Sequence, residues 1–507
     1  MGRILSANLI GVCLAALFFA IGCGQPRRML DAPAAALIGH MPRSFVEVRA
    51  TSWSFNHQRP WQQRPGPSRE TIGCILPGGL ILVTAQPVAN HRSIELTRMD
   101  TKVQGQARVV VADYEANLAL LKPTDPQFLD DTQSLSLAPD AATGDVLTVL
   151  QPRSRGSAIP SDHPVISIEV ADFPHRSRFL VYRLHGTLSH REGHFSLPVF
   201  KGERLAGLLH KYDSDTQIMD VIAVPVIAHF LADAENGAYQ GFPTAGVRYS
   251  AAKDAQLRRH LGLVDGDGGV FIEAVRPGSP GDRAGMQTGD ILASIAGQAV
   301  DTQGQYQDVQ YGRMDIAHLL RCRFQSGETI PLEIIRKGER RTLELPLRHT
   351  PGDAYLVPPY VVDRPPRYHI LGGLVLQELT GSYLERYMKN GSRRPWNLMR
   401  YFYKQDYLKE EKRDKIVILS GVIPTTFTLG YEDLFNKVVR RINARPILRL
   451  EDVPKALKTP LGGFHQIEFE QRPYTIYLDP GELEVIHDQI RQRYGIPALS
   501  NIVRNIE

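Results

Sequence analysis

One part of the chain carries side chains that could together do nucleophilic chemistry. Ser196 has a hydroxyl, nearby histidines could accept its proton, and Asp113 could orient an imidazole. A serine hydrolase needs this hydroxyl, imidazole and carboxylate within hydrogen-bond distance of one another. The nearby histidines are His185, His190 and His194. The alternative is that all five residues lie in polar surface loops and do no chemistry.

The cysteine pattern indicates neither a metal centre nor a redox motif. The chain has four cysteines, and no CxxC or paired-histidine spacing accompanies them. Cys74 lies in a strand pattern, and Cys322 lies in an apolar-flanked segment of another predicted domain. Two cysteines in an oxidising compartment could pair, but these positions favour buried free thiols. We predict no metal and no cofactor.

The first 23 residues have the pattern of a targeting segment. A basic start precedes an apolar run from Leu9 to Ile21, which is too short to indicate a membrane span with confidence. The run ends in Ala-Ile-Gly-Cys23 and resembles the bacterial lipobox, so the resemblance implies that Cys23 is lipidated. We predict a signal peptide over 1–23, a tether over 24–45, and a lipid-anchored protein of the bacterial cell envelope facing the periplasm. The alternatives are an ordinary signal peptide with secretion to the periplasm, or an uncleaved anchor.

Composition is typical of a globular protein with several domains. The 507 residues are 43% hydrophobic and 22% charged, with a net charge of +5, and this length favours about three domains. Basic residues concentrate over 389–400 and 404–415. That concentration suits a solvated helix face, and no segment resembles a nucleic-acid-binding module.

Four segments between residues 71 and 231 carry a family resemblance. Residues 71–90 read TIGCILPGGLILVTAQPVAN, residues 109–122 read VVVADYEANLALLK, and residues 193–208 read GHFSLPVFKGERLAGL. A strand pattern over 221–225 and a short helix to Leu231 follow. In this order and spacing they resemble the trypsin-like proteases of the HtrA (Deg) family. The resemblance implies a mainly β fold with a double β-barrel over 46–235.

The same resemblance places non-catalytic side chains where the catalytic residues would be. Gln86 stands at the position of the base, Asn117 at that of the orienting aspartate, and Phe195 at that of the serine. Ser196 and Leu197 replace two glycines of the oxyanion loop, and their side chains make its backbone geometry harder to adopt. A nucleophile shifted by one residue would point in another direction, so we favour the surface-loop interpretation. The sequence predicts a pseudoprotease; the alternative is a serine-type endopeptidase with a non-standard active site.

Residues 241–349 strongly resemble a PDZ domain. Residues 276–295 read RPGSPGDRAGMQTGDILASI, which resembles the turn, short helix and strand of that fold. A later hairpin is predicted from strands over 330–335 and 343–345 around a turn at Lys337-Gly338. The departures from the family signature are small, with Gly281 in place of alanine and Ala296 in place of asparagine.

A PDZ domain binds an extended peptide as an added strand and holds its C-terminal carboxylate on backbone amides. By resemblance, the peptide-binding residues are Ala245, Gly246, Val247 and Tyr249, beside a helix over 315–320. A bulky residue at position 246 is expected to block the ligand without disturbing the fold. The alternative is a spacer whose groove is filled.

Residues 355–507 resemble the divergent second PDZ domain of plant-type Deg proteases. The resemblance is carried by 368–380, which read YHILGGLVLQELT, and by 438–447, which read VVRRINARPI. It implies a PDZ-like domain that mainly mediates assembly. A helical insertion over 384–415 is predicted to be either an interface or a solvated surface.

The whole pattern predicts a binding function without catalysis. The protein is expected to hold polypeptide C-termini or unfolded segments, as a scaffold, a chaperone-like holder or a regulator of an active Deg protease. Its predicted partners are peptides or protein C-termini and, through its lipid, a membrane. No nucleic-acid partner is expected, and homo-oligomerisation is left open.

Overall fold

The computed structural model describes residues 43–152, 158–188, 196–264, 266–389, 394–404 and 412–502. The lipidation candidate Cys23, the position Phe195 and the histidines His190 and His194 lie outside these ranges. Within them, Cys74 and Cys322 are free thiols. No helix of the described part has the length and apolar character needed to cross a membrane.

The first barrel is a closed sheet of six antiparallel strands. Its strands are β1 (Phe45–Phe55), β2 (Gln63–Leu76), β3 (Leu80–Val83), β4 (His91–Arg98), β5 (Gln104–Asp113) and β6 (Leu118–Pro123). They close in the order β1-β2-β3-β6-β5-β4. Val46, Val48 and Ala50 of β1 are fully buried, because alternate side chains of a strand face the barrel interior. The short helix α1 (Ala85–Val88) follows β3.

The second barrel repeats this design with the same spatial order of strands. Its strands are β7 (Val146–Pro152), β8 (Ala158–Asp172), β9 (Arg178–His185), β10 (Pro198–Lys201), β11 (Arg204–Asp213) and β12 (Ile218–Ala223). They close as β10-β11-β12-β9-β8-β7. Its large side chains Phe179, Tyr182 and Phe200 are fully buried, and the helix α2 (Val224–Glu235) follows the last strand.

A five-stranded path forms the core sheet of the middle unit, in the order β13-β14-β15-β19-β20. The strands of the middle unit are β13 (Val247–Ala251), β14 (Val270–Val275), β15 (Ile291–Ile295), β16 (Gln298–Ala299), β17 (Gln305–Asp308), β18 (Gly312–Asp315), β19 (Thr329–Arg336) and β20 (Glu339–Pro346). Of these, β16 pairs with β15 beside the path, and β17 and β18 form a separate two-stranded sheet. Its helices are α3 (Ala255–His260), α4 (Pro280–Arg283) and α5 (Ile316–Cys322). Lys337 and Gly338 both have positive φ at the predicted turn between β19 and β20. In the described part, β13 is an edge strand that pairs with β14 alone.

The C-terminal unit is an eight-stranded sheet with helices against it. Its strands are β21 (Tyr368–Leu371), β22 (Leu374–Glu378), β23 (Val417–Val422), β24 (Lys437–Ile442), β25 (Arg445–Pro446), β26 (His465–Phe469), β27 (Thr475–Leu478) and β28 (Ser500–Asn501). Its helices are α6 (Gly381–Lys389), α7 (Trp396–Tyr403), α8 (Asp452–Ala456) and α9 (Leu483–Tyr494). Two barrels followed by sheet units with few helices confirm the predicted mainly β fold class.

The second barrel and the middle unit share one continuous hydrophobic core. Phe179 of β9 meets Phe242 edge-on, with ring centroids 4.7 Å apart. The Arg321 guanidinium of α5 lies 5.0 Å from the centre of the Phe179 ring. This packing holds α5 against β9 and fixes the middle unit on the second barrel.

The segment 355–363, here called the strap, joins the middle unit to the C-terminal unit and touches both barrels. Asp363 exchanges two hydrogen bonds of 2.6 Å with Asn90, one through each backbone N–H. Its carboxylate also accepts from the Tyr114 hydroxyl. The Tyr360 ring lies 3.9 Å from the His175 ring of the second barrel. The strap therefore crosses from one barrel to the other.

Candidate functional site

Ser196 and Thr84 meet between the two barrels. The Thr84 backbone N–H donates to Ser196 Oγ at 3.1 Å, and the two hydroxyls are hydrogen-bonded to each other. Both residues are almost completely buried. Thr84 precedes α1, so this contact ties the helix that carries Gln86 to the second barrel. The Ser196 hydroxyl is thus engaged by Thr84.

Ser196 adopts the backbone conformation that was expected to be difficult for it. Its φ is +87°, in the left-handed region that glycine enters more readily than residues with a side chain. Backbone hydrogen bonds hold the turn, from Ser196 N to Leu209 O at 3.0 Å and from Leu209 N to Leu197 O at 2.8 Å. A loop geometry that usually calls for glycine is therefore kept here with a serine.

Asn117 links Gln86 to a histidine that the sequence analysis did not single out. Its Oδ1 accepts from the Gln86 backbone N–H at 3.0 Å, and its Nδ2 lies 3.2 Å from His210 Nδ1. An amide whose oxygen is already used as an acceptor donates through its nitrogen. His210 Nδ1 is therefore the acceptor, and the imidazole carries its proton on Nε2.

His210 is held neutral in a buried, aromatic environment. Its ring stacks on Phe173 with centroids 4.0 Å apart and an angle of 4° between the planes. Burial lowers the pKa of His210 to about 4. With Nδ1 occupied by Asn117 and the ring stacked on Phe173, this imidazole packs between these two residues. The described residues show no hydrogen bond between it and Ser196 Oγ.

The other candidates for a shifted triad within the described residues, Asp113 and His185, are not hydrogen-bond partners of Ser196. Asp113 Oδ1 accepts from the backbone N–H groups of Glu115 and Ala116, both at 2.8 Å. Its Oδ2 accepts from the Tyr239 hydroxyl at 2.6 Å. His185 is exposed at the end of β9. The structure thus does not bring Asp113, His185 and Ser196 together by hydrogen bonds.

A cavity of about 380 Å³ lies beside the start of β13. Four parts of the chain border it: the middle unit, the 175–177 loop of the second barrel, Glu115 of the first barrel, and the strap with α7. Gly246 and Val247 line it, whereas Ala245 and Tyr249 do not. Ala245 is buried behind it and accepts from Gly281 N at 2.8 Å. The Tyr249 hydroxyl donates to Asp315 Oδ1 at 3.4 Å, beside the start of α5.

Gly246 is more constrained than the sequence analysis expected. Its φ is +69°, and a Cβ built there would lie 2.3 Å from Ser279 Cβ. Its own N–H donates to Thr244 Oγ1 at 3.2 Å. The expectation that a bulky side chain at 246 leaves the fold undisturbed is wrong, because such a residue collides with the buried Ser279 in a backbone conformation that favours glycine.

Among the described residues, four arginines that the sequence analysis missed line the cavity, together with one carboxylate, that of Glu115. Arg248 pairs with Glu273 at 3.0 Å, and Arg321 pairs with the buried Glu115 at 3.3 Å. Arg176 and Arg276 form no ion pair with any carboxylate in the described part of the chain. These side chains come from segments far apart in sequence, so no local motif signals them. The cavity is a positively charged site.

The C-terminal unit closes the outer side of the cavity. Arg248 Nη1 donates to the Tyr403 carbonyl at 3.3 Å. The Arg276 guanidinium lies 4.2 Å from the centre of the Tyr355 ring and donates to Thr350 Oγ1 at 2.7 Å. Part of the predicted insertion, α7, therefore acts as an internal interface. As to metals, the described residues contain no cluster of three or more potential ligands.

Known proteins with a protease unit and PDZ domains are similar to this chain in sequence and in fold. PDZ-domain family models match residues 271–311 and 357–500. The curated protein Protease Do-like 2, chloroplastic, of Arabidopsis thaliana is 26% identical over 463 residues, which is 90% of this chain and 74% of that protein. Protease Do-like 4, mitochondrial, of the same plant is 23% identical over 404 residues, covering 79% and 74%. A solved variant of the HtrA-type protease AlgW, with a decapeptide, superposes with a TM-score of 0.50 at 17% identity and covers 63% of this chain and 98% of that one.

Proposed function

We propose, on the premise that this chain is an HtrA/Deg-like homologue of proteases with PDZ domains, that it binds polypeptides without cleaving them. The middle unit captures C-termini or unfolded segments in the cavity beside Gly246. The protein then serves as a scaffold, a chaperone-like holder or a regulator of an active protease. We propose further that Cys23 anchors it by lipid in the bacterial envelope, facing the periplasm.

The observation that carries this proposal is the cavity at the start of β13. An edge strand offers unpaired backbone groups to which an extended peptide can add as another strand. Gly246 and Val247 border the cavity at this edge, and the cavity has the volume of a small ligand pocket. Positive charge around it favours the carboxylate at the end of a polypeptide.

The environment of Ser196 supports the absence of catalysis. A serine nucleophile needs a base within hydrogen-bond reach. Ser196 Oγ is hydrogen-bonded to Thr84 instead, and His210 Nδ1 accepts a hydrogen bond from Asn117. Among the described residues Ser196 has no base within hydrogen-bond reach, and with its hydroxyl engaged by Thr84 it is not activated for attack. The alternative, a serine-type endopeptidase with a non-standard site, makes the opposite prediction about labelling.

Two assays on the purified full-length protein test the proposal. We expect no covalent labelling by a fluorophosphonate probe and no cleavage of casein above background. Labelling that disappears in Ser196→Ala would overturn the non-catalytic assignment.

Peptide binding is measured with a C-terminal peptide array followed by titration. Val247→Asp, which places a negative charge in the cavity, is expected to weaken binding. Val309→Asp is the matched control, because Val309 lies in the same unit and its side chain is fully exposed at 102%. Equal affinity in both variants, or no peptide bound by the wild type, would contradict the binding function.

A further inference from the structure

Within the described residues, two of the four arginines that line the cavity have no carboxylate partner. Glu115 and Glu273 pair with Arg321 and Arg248. This leaves Arg176 and Arg276 on the same cavity without a carboxylate partner in the described residues. Arg276 is half-buried and Arg176 is exposed, and a guanidinium without a carboxylate partner retains strong donors for an anion. Two such groups on one cavity indicate a ligand with two negative charges.

Arg276 marks the end of the cavity where a main-chain carboxylate would lie. A Cβ built on Gly246 would be 3.1 Å from Arg276 Nη2, so the guanidinium lies directly against this glycine. It is fixed in place by Thr350 Oγ1 and by the Tyr355 ring. A terminal carboxylate that approaches the backbone of Gly246 therefore also meets Arg276.

Arg176 supplies the second positive charge from a different unit. It follows His175 in the loop before β9, and its own φ is +66°. Its guanidinium lies 4.2 Å from the centre of the Phe402 ring and 4.4 Å from that of Tyr403. The Arg176 side chain also hydrogen-bonds the Tyr403 side chain, and a stacked guanidinium has further edge N–H groups that can bind a carboxylate. The second barrel and the C-terminal unit thus complete the binding site of the middle unit.

We propose that this cavity selects polypeptide C-termini whose last residue is acidic, so that Arg276 binds the main-chain carboxylate and Arg176 binds the side-chain carboxylate. The inference rests on the proposed peptide-binding function and names its ligand class. The enclosed volume of about 380 Å³ lies near the lower end for ligand pockets. It suits the end of a chain better than a long internal segment.

The test uses full-length protein and hexapeptides with randomised upstream positions that end in Glu, Gln or Leu, together with a Glu pool whose terminus is amidated. We expect the Glu pool to bind about tenfold more tightly than the Gln pool. A hydrogen bond to a charged group contributes at least the free energy that corresponds to this ratio of affinities. Amidation should weaken binding by a similar factor. Free glutarate, which carries the same two carboxylates, should compete only weakly. If glutarate binds as tightly as the Glu pool, the ligand of the cavity is a small dicarboxylate and not a peptide terminus.

Variants assign the preference to its residues. Arg176→Gln should abolish the discrimination between Glu and Gln, and Arg176→Lys should retain part of it. Arg341→Gln is the control, since Arg341 is exposed in the middle unit, does not line the cavity and pairs with Glu339. Melting temperatures exclude unfolding as the cause. If Leu-ending peptides bind best and Arg176→Gln changes nothing, this inference fails and the binding function stands; if no pool binds, both fail.

Discussion

Ser196 combines an unfavourable backbone conformation with favourable contacts of its hydroxyl. A residue with a side chain at positive φ costs about 1–2 kcal/mol relative to glycine. The buried hydrogen bonds to Thr84 act in the opposite direction, and each contributes about 1 kcal/mol. Two substitutions separate these effects.

Ser196→Ala should destabilise the protein more than Ser196→Gly. Alanine keeps the strained backbone and leaves the buried Thr84 N–H without its acceptor, so a loss of about 1–3 kcal/mol is expected. Glycine loses the same hydrogen bonds but relieves the strain by about 1 kcal/mol. The measurement is the free energy of unfolding in urea. A glycine variant less stable than the alanine variant would show that Ser196 is not strained.

His210 should make the fold sensitive to acid. Its folded pKa of about 4 lies below the ordinary 6.5, so the unfolded chain takes up a proton first as pH falls. The stability that its neutral form provides is complete above pH 6.5 and is lost as pH falls towards 4, by up to about 3 kcal/mol. Burial also lowers the pKa values of His175, His318 and His369.

A substitution isolates the contribution of His210 from those of the other histidines. His210→Gln keeps a partner for Asn117 and removes the titrating ring. Its unfolding free energy should therefore fall less steeply between pH 6.5 and 4.5 than that of the wild type. Parallel pH profiles for the two proteins would contradict this assignment.

The partner of Asn117 shows what single-residue reasoning from sequence can and cannot find. The resemblance identified Asn117 because a short motif surrounds it. His210 lies 93 residues away on another barrel, and no periodicity or spacing links the two. The same holds for Arg176, which reaches the cavity only because the second barrel packs against the middle unit.

At the scale of elements, turns were predictable and docking surfaces were not. Lys337 and Gly338 form the predicted turn between β19 and β20, because tight hairpins need positive φ at their centre. Asn443 and Ala444 likewise have positive φ between β24 and β25, although alanine is an unfavourable residue for this conformation. The position of α7 over the cavity depends on how two units pack, which local residue chemistry does not specify.

The contacts that hold the strap on the barrels can be tested by substitution at Asp363. Asp363→Ala deletes the carboxylate that accepts from Asn90 and Tyr114. We expect local opening, seen as amide exchange at Asn90 that is about tenfold faster or more, since each lost hydrogen bond contributes about 1 kcal/mol. Asp363→Asn keeps an acceptor oxygen and tolerates the φ of +60°. Unchanged exchange in the alanine variant would mean that the other contacts of the strap, such as the backbone N–H of residue 363 on Asn90 and the Tyr360 ring, are enough to hold it.

At the scale of the whole molecule, the units are joined by contacts that cross the cavity. The second barrel and the middle unit share one core, and α7 and the strap reach both from the C-terminal unit. Any peptide that enters the cavity meets residues of all three. Binding should therefore depend on the intact chain, and this is why each binding test above uses the full-length protein.

The anchoring prediction concerns where this molecule works. The lipobox-like end of the apolar run motivates it, since a diacylated cysteine buries acyl chains in a bilayer and retains a protein there. Cys23→Ser should release the protein from membranes into the soluble envelope fraction or leave it unprocessed. Cys13→Ser is the matched control, because Cys13 lies inside the apolar run and should leave acylation intact. Fractionation with mass spectrometry of the N-terminal peptide reports both outcomes. A wild-type protein without acyl mass would contradict the lipid anchor and favour secretion to the periplasm or an uncleaved anchor.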